Sequence, residues 1–273
     1  MIRAWATRHR ATIFHWSMEV VIVVIGILIA FALQDWAGEV GSRRRAADAD
    51  RRIRLEIVDN AHDMVERIAI ASCLRARVAE LSERIVSGDR RWRATAWRPA
   101  ERRSGFRQSV MPIVYPVPSR GSNSDAYRGS LNDGDLASAD SAARATLASI
   151  YKASDRLDAI NREENELADQ LQPLQYLGVQ SAQDRRVALT TLARLDAING
   201  LARLIADQYL GRVREAGYRM TAQEIARMRA ADGWPARVAY GRGRYGACWD
   251  TRAIAAFEPG VLAGGMRVVG GGR

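Results

Sequence analysis

Residues Val20 to Leu33 read VVIVVIGILIAFAL, fourteen positions in a row without a polar side chain. As a helix that run spans only about 21 Å, short of the roughly 30 Å hydrocarbon core of a bilayer. Extending it from Ile13 to Trp36 gives about 36 Å, with His15, Ser17 and Glu19 at one end and Gln34 and Asp35 at the other. Trp16 and Trp36 then bracket the apolar stretch, as aromatic side chains do at the two membrane interfaces. The polar residues stand where they can reach headgroups. A transmembrane helix over 18–36 is the expectation, preceded by a short basic segment, 1–17.

Two other readings fit part of the pattern. Arg3, Arg8 and Arg10, the apolar run and Ala30-Phe31-Ala32 supply the parts of a cleaved signal peptide. A buried core helix is the other, but β-branched residues on every face suit lipid at least as well as a protein interior. An acid at the membrane edge, Glu19, is read as interfacial, with a contact between neighbouring anchors as the functional alternative. Gly26 with Ala30 forms a small face of the kind that lets membrane helices approach.

Glu19 to Glu39, EVVIVVIGILIAFALQDWAGE, resembles the start of a large bacterial family of uncharacterised single-pass membrane proteins. Glu19, Gly26, Gln34 and Trp36 match its pattern, whereas Ala37-Gly38 stands where the family has Asn-Glu. A second segment, Tyr127 to Leu136 with Leu147 and Tyr151, is similar to the family's "Tyr, two residues, Leu, Ser, Gly, x, Leu, then a helix ending in Tyr". Tyr127, Gly134, Leu136 and Tyr151 carry that likeness, while Gly129 and Asn132 depart from it. The resemblance implies an anchor in the bacterial inner membrane and a helical body, and brings no activity with it.

Topology is set by charge near the anchor. Arg3, Arg8 and Arg10 precede it, whereas Asp35 and Glu39 follow it before Arg43, Arg44 and Arg45 are reached. The near flanks favour a cytoplasmic N-terminus and an exported body, and the later arginines oppose it.

Beyond the anchor the chain reads as helices. Val58, Ala61, Val65, Ile68, Ala71, Leu74, Val78, Leu81 and Ile85 recur at spacings of three and four on one face of a helix over 42–87, and Ser87-Gly88 ends it. Ser122 and Asp125 suggest a capped short helix that stops at Gly134. Leu147, Ile150, Ser154, Leu157, Ile160, Glu164, Leu167 and Leu171 continue the rhythm over 140–172 until Pro173. Val187, Leu192, Leu195, Ile198, Ala202, Ile205, Tyr209 and Val213 repeat it over 182–217, and Thr221 with Glu224 caps a last helix. The fold class expected is all-α: one transmembrane helix, then an antiparallel bundle with coiled-coil-like long helices over 37–232. Nothing alternates with the period of a half-buried sheet.

Composition narrows the functional classes. The 273 residues carry a net charge of +10, yet Lys152 is the only lysine beside 40 arginines. That bias is what a GC-rich coding sequence produces, so basicity alone is weak support for nucleic acid as a partner. The connector 88–120 holds eight arginines against Asp89 and Glu101, and four of the seven prolines. It reads either as a solvated loop or as an anion-binding patch for lipid or nucleic acid through Arg90, Arg91, Arg93, Arg102 and Arg103, with Trp92 and Trp97 interleaved.

The tail 233–273 contains ten of the twenty-two glycines. Tyr240 to Gly246, YGRGRYG, is expected to be irregular, with Trp249 and Phe257 docked on the bundle. It lacks the Lys-Ser/Thr and the strand-to-helix setting of a phosphate loop.

No catalytic residue, cofactor or metal site is legible. His9, His15 and His62 lack ligand spacing, and His62 is expected to be exposed or partly packed. Glu164 at a seam position is the one carboxylate that suggests a buried acid or a ligand in a bundle core. Cys73 and Cys248 are either unrelated thiols or, in an exported body, a disulfide tying the first long helix to the tail. The expectation is an interaction protein that is not an enzyme, with the bilayer and other membrane proteins or further copies of itself as partners.

Overall fold

The computed structural model describes residues 2–88, 91–92, 114–118, 121–175, 178–216, 222–230 and 233–252. Helix α1 runs unbroken from Ile2 to Val86, 85 residues. A two-residue strand β1 (Arg91–Trp92), α2 (Asp125–Asn132), α3 (Ser141–Asp169), β2 (Gly178–Val179), α4 (Ala182–Glu215), α5 (Ala222–Arg229) and α6 (Trp234–Tyr245) follow. The chain is helical, as its periodicity requires; the unforeseen exception is β1, paired antiparallel with β2 through Arg91 with Val179 and Trp92 with Gly178. The Trp92 indole fixes that bridge by donating to the Leu174 carbonyl at 2.6 Å.

The chain divides into two compact units, one of Met1–Arg51 with Gly129–Ser138, the other of Arg52–Arg128 with Ala139–Arg273. In the first, every residue from Met18 to Glu39 is exposed. The most apolar eighteen-residue window of this helix has a mean hydropathy of 2.3, and none of it is buried. It is the helix among the described residues that is long and apolar enough to cross a membrane. Trp16 and Trp36 are 66% and 65% exposed at its two ends. Arg45 stands 3.8 Å from Asp135, whose side chain is almost fully buried, and Ala49 and Leu136 are buried. Gly134 turns the chain after α2 with φ +73°, a backbone state that favours glycine.

The second unit is built on the later part of α1. Ile53, Ile57, Met64, Ile70, Leu74 and Leu81 are among its largest fully buried side chains. They occupy more of the helix circumference than one stripe, so this segment is enclosed by other elements. Leu147, Ile150, Leu157, Leu167, Leu192, Leu195, Ile205 and Tyr209 meet it from α3 and α4 and are buried as their spacing predicts. Val187 is the exception at 42% exposed; its neighbour Ala188 takes the buried position in that turn of α4.

Paired positions fix the order of the helices. Along α1 and α3 they rise together, Tyr151 with Glu56 and Glu164 with Arg67. Along α4 they run in reverse, as Tyr209 bonds the Ile57 carbonyl and Asn199 the Ala71 carbonyl.

Helix ends follow local chemistry with one correction. Asp140 caps α3 by accepting from the Ala143 amide, and Ser181 with Asp184 forms a capping box on α4. The start of α2 is capped from a distance instead of by Ser122 and Asp125: Glu56 accepts from the amides of Ala126 and Tyr127, while the Ser122 amide is taken by Asp158.

The glycine-rich stretch also departs from expectation, because Tyr240 to Tyr245 completes a helix that Pro235 helps to start. Tertiary contact overrides the propensity here. A Cβ on Gly241 would stand 2.4 Å from the Trp249 ring, so glycine is what lets the indole lie on this helix. Gly241→Ala is therefore expected to destabilise the docked α6 by about 1–3 kcal/mol through overpacking. A lower thermal midpoint of the full chain in detergent, with Trp249 emission shifted to the red, is the readout.

Candidate functional site

Residues 53–74 of α1 are buried nearly all round, so each charged side chain in that segment needs a partner of its own. Tyrosines from separate parts of the chain supply three of the carboxylate contacts. Tyr151 on α3 donates to Glu56 at 2.6 Å. Tyr245 at the end of α6 donates to Glu66 at 2.8 Å. Tyr115, from the connector, donates to Glu164 on α3 at 2.9 Å.

Glu164 is fully buried and also faces Arg67 of α1, Nη1 to Oε2 at 2.6 Å, with Arg67 only 2% exposed. The seam carboxylate thus sits in an ion pair between helices. Arg77, also buried, donates its Nε to the Val114 carbonyl at 2.9 Å, holding the other described end of the connector. Asn60 and Asn123 exchange side-chain and backbone hydrogen bonds at 2.7 and 2.8 Å.

Burial and the neighbouring carboxylate push the Tyr115 and Tyr245 phenols well above the ordinary tyrosine range. Each phenolate would form beside a negative charge away from water. Asp59 shifts the opposite way, held below the usual carboxylate range first by its hydrogen bond with His62 and then by Arg237.

His62 is buried, in contrast to the exposed or partly packed position expected. Its ring stacks on Trp234 with centroids 4.6 Å apart, and α6 covers it. The α6 segment makes further contacts with the same helix: Arg237 reaches Asp59 at 2.9 Å and Asp63 at 3.5 Å, and the Asp250 amide donates to the Ala69 carbonyl at 3.1 Å. Cys73 and Cys248 are joined as a disulfide, their Cα atoms 5.3 Å apart, within the usual span for such a bond.

The structure brings Tyr127 and Tyr151 of the family-like motif face to face, centroids 4.1 Å apart and planes 3° apart. Glu56 links them further, accepting from the Tyr127 amide and the Tyr151 hydroxyl. Gly134 and Leu136 lie in the turn after α2. In the apolar part of α1, Trp16, Glu19, Gly26, Gln34 and Trp36 are all exposed, and nothing lies within 4 Å of a Cβ placed on Gly26. Of the connector arginines, Arg91 lies in β1, while Arg90, Arg93, Arg102 and Arg103 fall outside the described residues, as do Trp97 and Phe257.

Spacing alone did not single out Glu56, Glu66, Arg67, Tyr115 or Tyr245. For Glu56, Glu66 and Arg67 the signal available was their position, among apolar residues of 53–74 that recur on more than one face of the helix; nothing local marked Tyr115 or Tyr245. Two small hollows flank this network, one lined by His62, Asp63, Glu66, Trp234 and Arg237, the other by Arg67, Pro118, Leu157 and Asn161 with Asp63 and Glu66. Among the described residues no group of three or more His, Cys, Asp or Glu side chains is placed to hold a metal ion.

The phenol shifts set a pH dependence. The unfolded chain releases these protons near pH 10, whereas the folded chain retains them above that, so stability is complete below about pH 10 and falls as pH rises further. Tyr115→Phe with Tyr245→Phe should flatten that alkaline loss in denaturant titrations. Arg67→Met should cost about 3–5 kcal/mol by stranding Glu164, and Arg67→Met with Glu164→Leu should recover most of it.

Compared with known proteins, the chain matches no family model, no curated protein and no solved structure.

Proposed function

We propose that this chain is a single-pass membrane protein, a member of the bacterial anchor family it resembles, whose helical body works by binding other proteins as a scaffold, sensor or complex subunit. The observation that carries this reading is the fully exposed apolar sector of α1. Side chains from Val20 to Leu33, including Ile22, Leu28 and Phe31 at about 60%, have no protein cover. In water such a continuous apolar surface is costly; in lipid it is satisfied. Trp16 and Trp36 at its borders suit the two interfaces.

The Cys73–Cys248 bond supports a body on the oxidising side of the membrane and an N-terminus in the cytoplasm, since such bonds persist outside reducing compartments. The pairing order of α1, α3 and α4 supports an antiparallel arrangement in which α4 runs against the other two, with coiled-coil-like seams. The polar network described above is read as holding this body together, leaving its outer faces for partners. Other membrane proteins or further copies of the chain are the partners that an anchor of this kind positions.

Alkaline carbonate washing should leave the intact chain in the membrane pellet, and deletion of residues 18–36 should release it to the supernatant. Release of the intact chain overturns the anchor. A periplasmic reporter fused after Arg252 should be active, and crosslinking in native membranes should trap a defined partner or dimer.

A further inference from the structure

We propose that the Cys73–Cys248 disulfide is a thiol-exchange site whose reduction releases a C-terminal strap, residues 234–250, from the polar face of α1 while the helical core stays folded. The strap is α6 with the turn that follows it. Its contacts fall along one face of α1, from Asp59 through His62, Asp63, Glu66 and Ala69 to Cys73. These positions recur at helical spacing, so one short segment covers them all. A further contact reaches the connector, Arg244 Nη2 to the Val117 carbonyl at 3.2 Å.

Three features separate a latch from a staple of the whole fold. First, the largest fully buried side chains lie between Ile53 and Tyr209, and the strap contributes none of them. It adds Tyr245 and Trp249 to a core whose largest members come from elsewhere in the chain. Second, α6 has twelve residues with Gly241 and Gly243 inside it. Helices this short and glycine-bearing are marginal without tertiary support. Third, both cysteines retain solvent exposure, so an external thiol can reach them. What the strap touches is also chemically distinctive: lifting it returns His62 and Glu66 to water beside Asp59 and Asp63, an acidic stretch of α1.

The exchange is balanced by a dithiol. One of its thiolates attacks either sulfur of the bond, forming a mixed disulfide and expelling the other cysteine as a thiolate. The second thiol of the reductant then displaces the remaining cysteine. The chain ends with two thiols and the reductant with one disulfide, two electrons having passed between them. The inference rests on the exported reading only for how the bond forms.

Full-length protein purified from membranes in detergent is treated with dithiothreitol and followed by hydrogen exchange and thiol alkylation. The bond should be present at the start and reducible without denaturant. Amides of 234–250 should then exchange roughly 30-fold faster or more, the scale set by losing an intramolecular crosslink, while 141–169 and 182–215 keep their protection. Cys248→Ser should reproduce the fast strap without reductant.

Unchanged exchange in 234–250 after complete reduction, loss of protection throughout the bundle, or resistance of the bond to reduction short of unfolding would each overturn the latch. Free thiols in protein from native membranes would overturn it too. The periplasmic reporter, read separately, shows whether the exported topology failed with it.

Discussion

A charge inside a helix that is buried on almost every side has to be neutralised by something brought to it, and α1 carries several. Glu56, Glu66 and Arg67 interrupt a segment otherwise made of Ile53, Ile57, Met64, Ile70 and Leu74. Each is met by groups from elsewhere in the chain: Glu56 by Tyr151 of α3 together with the first amides of α2, Glu66 by Tyr245 of the strap, Arg67 by Glu164 of α3. Apolar packing is tolerant of small slips, whereas a phenol 2.6 Å from a carboxylate is not. The polar contacts therefore specify the register at which α3, the connector and the strap lie on α1, and the aliphatic contacts supply most of the burial.

Two parts of the same helix are covered differently. From Val20 to Leu33 its surface is aliphatic and exposed, whereas from Ile53 to Leu74 most of its side chains are buried. Both parts are rich in aliphatic side chains; the difference lies in the polar residues. The first part has none between Val20 and Leu33, whereas the second carries charges that only protein partners can satisfy. A buried glutamate needs hydrogen-bond or ion-pair partners, so the second part depends on other elements of the chain and the first makes no such demand.

Much of the helical pattern is legible in the sequence. Leu147 to Leu171 and Leu192 to Val213 are buried at the spacing their sequence displays, since a 3.6-residue period is a property of the helix itself. Other features were hidden because they depend on residues distant in the chain. The cap of α2 comes from Glu56, about seventy residues earlier, where a local motif had suggested Ser122 and Asp125. The helix over Tyr240 to Tyr245 exists despite its glycines because Trp249 occupies the space that a Cβ on Gly241 would fill. His62, expected to be exposed or partly packed, is buried because Trp234 stacks on its ring.

The sequence by itself determined the uninterrupted apolar run and its aromatic borders, the positions of the long helices, and two cysteines with no third to compete. Periodicity and composition are local, and no folding is needed to read them. Only the tertiary structure decided which tyrosine meets which glutamate, that Arg67 faces Glu164, and that the C-terminal segment lies along Asp59 to Cys73. Those choices depend on how helices far apart in sequence come together, and the spacing of residues along one chain carries no record of that distance.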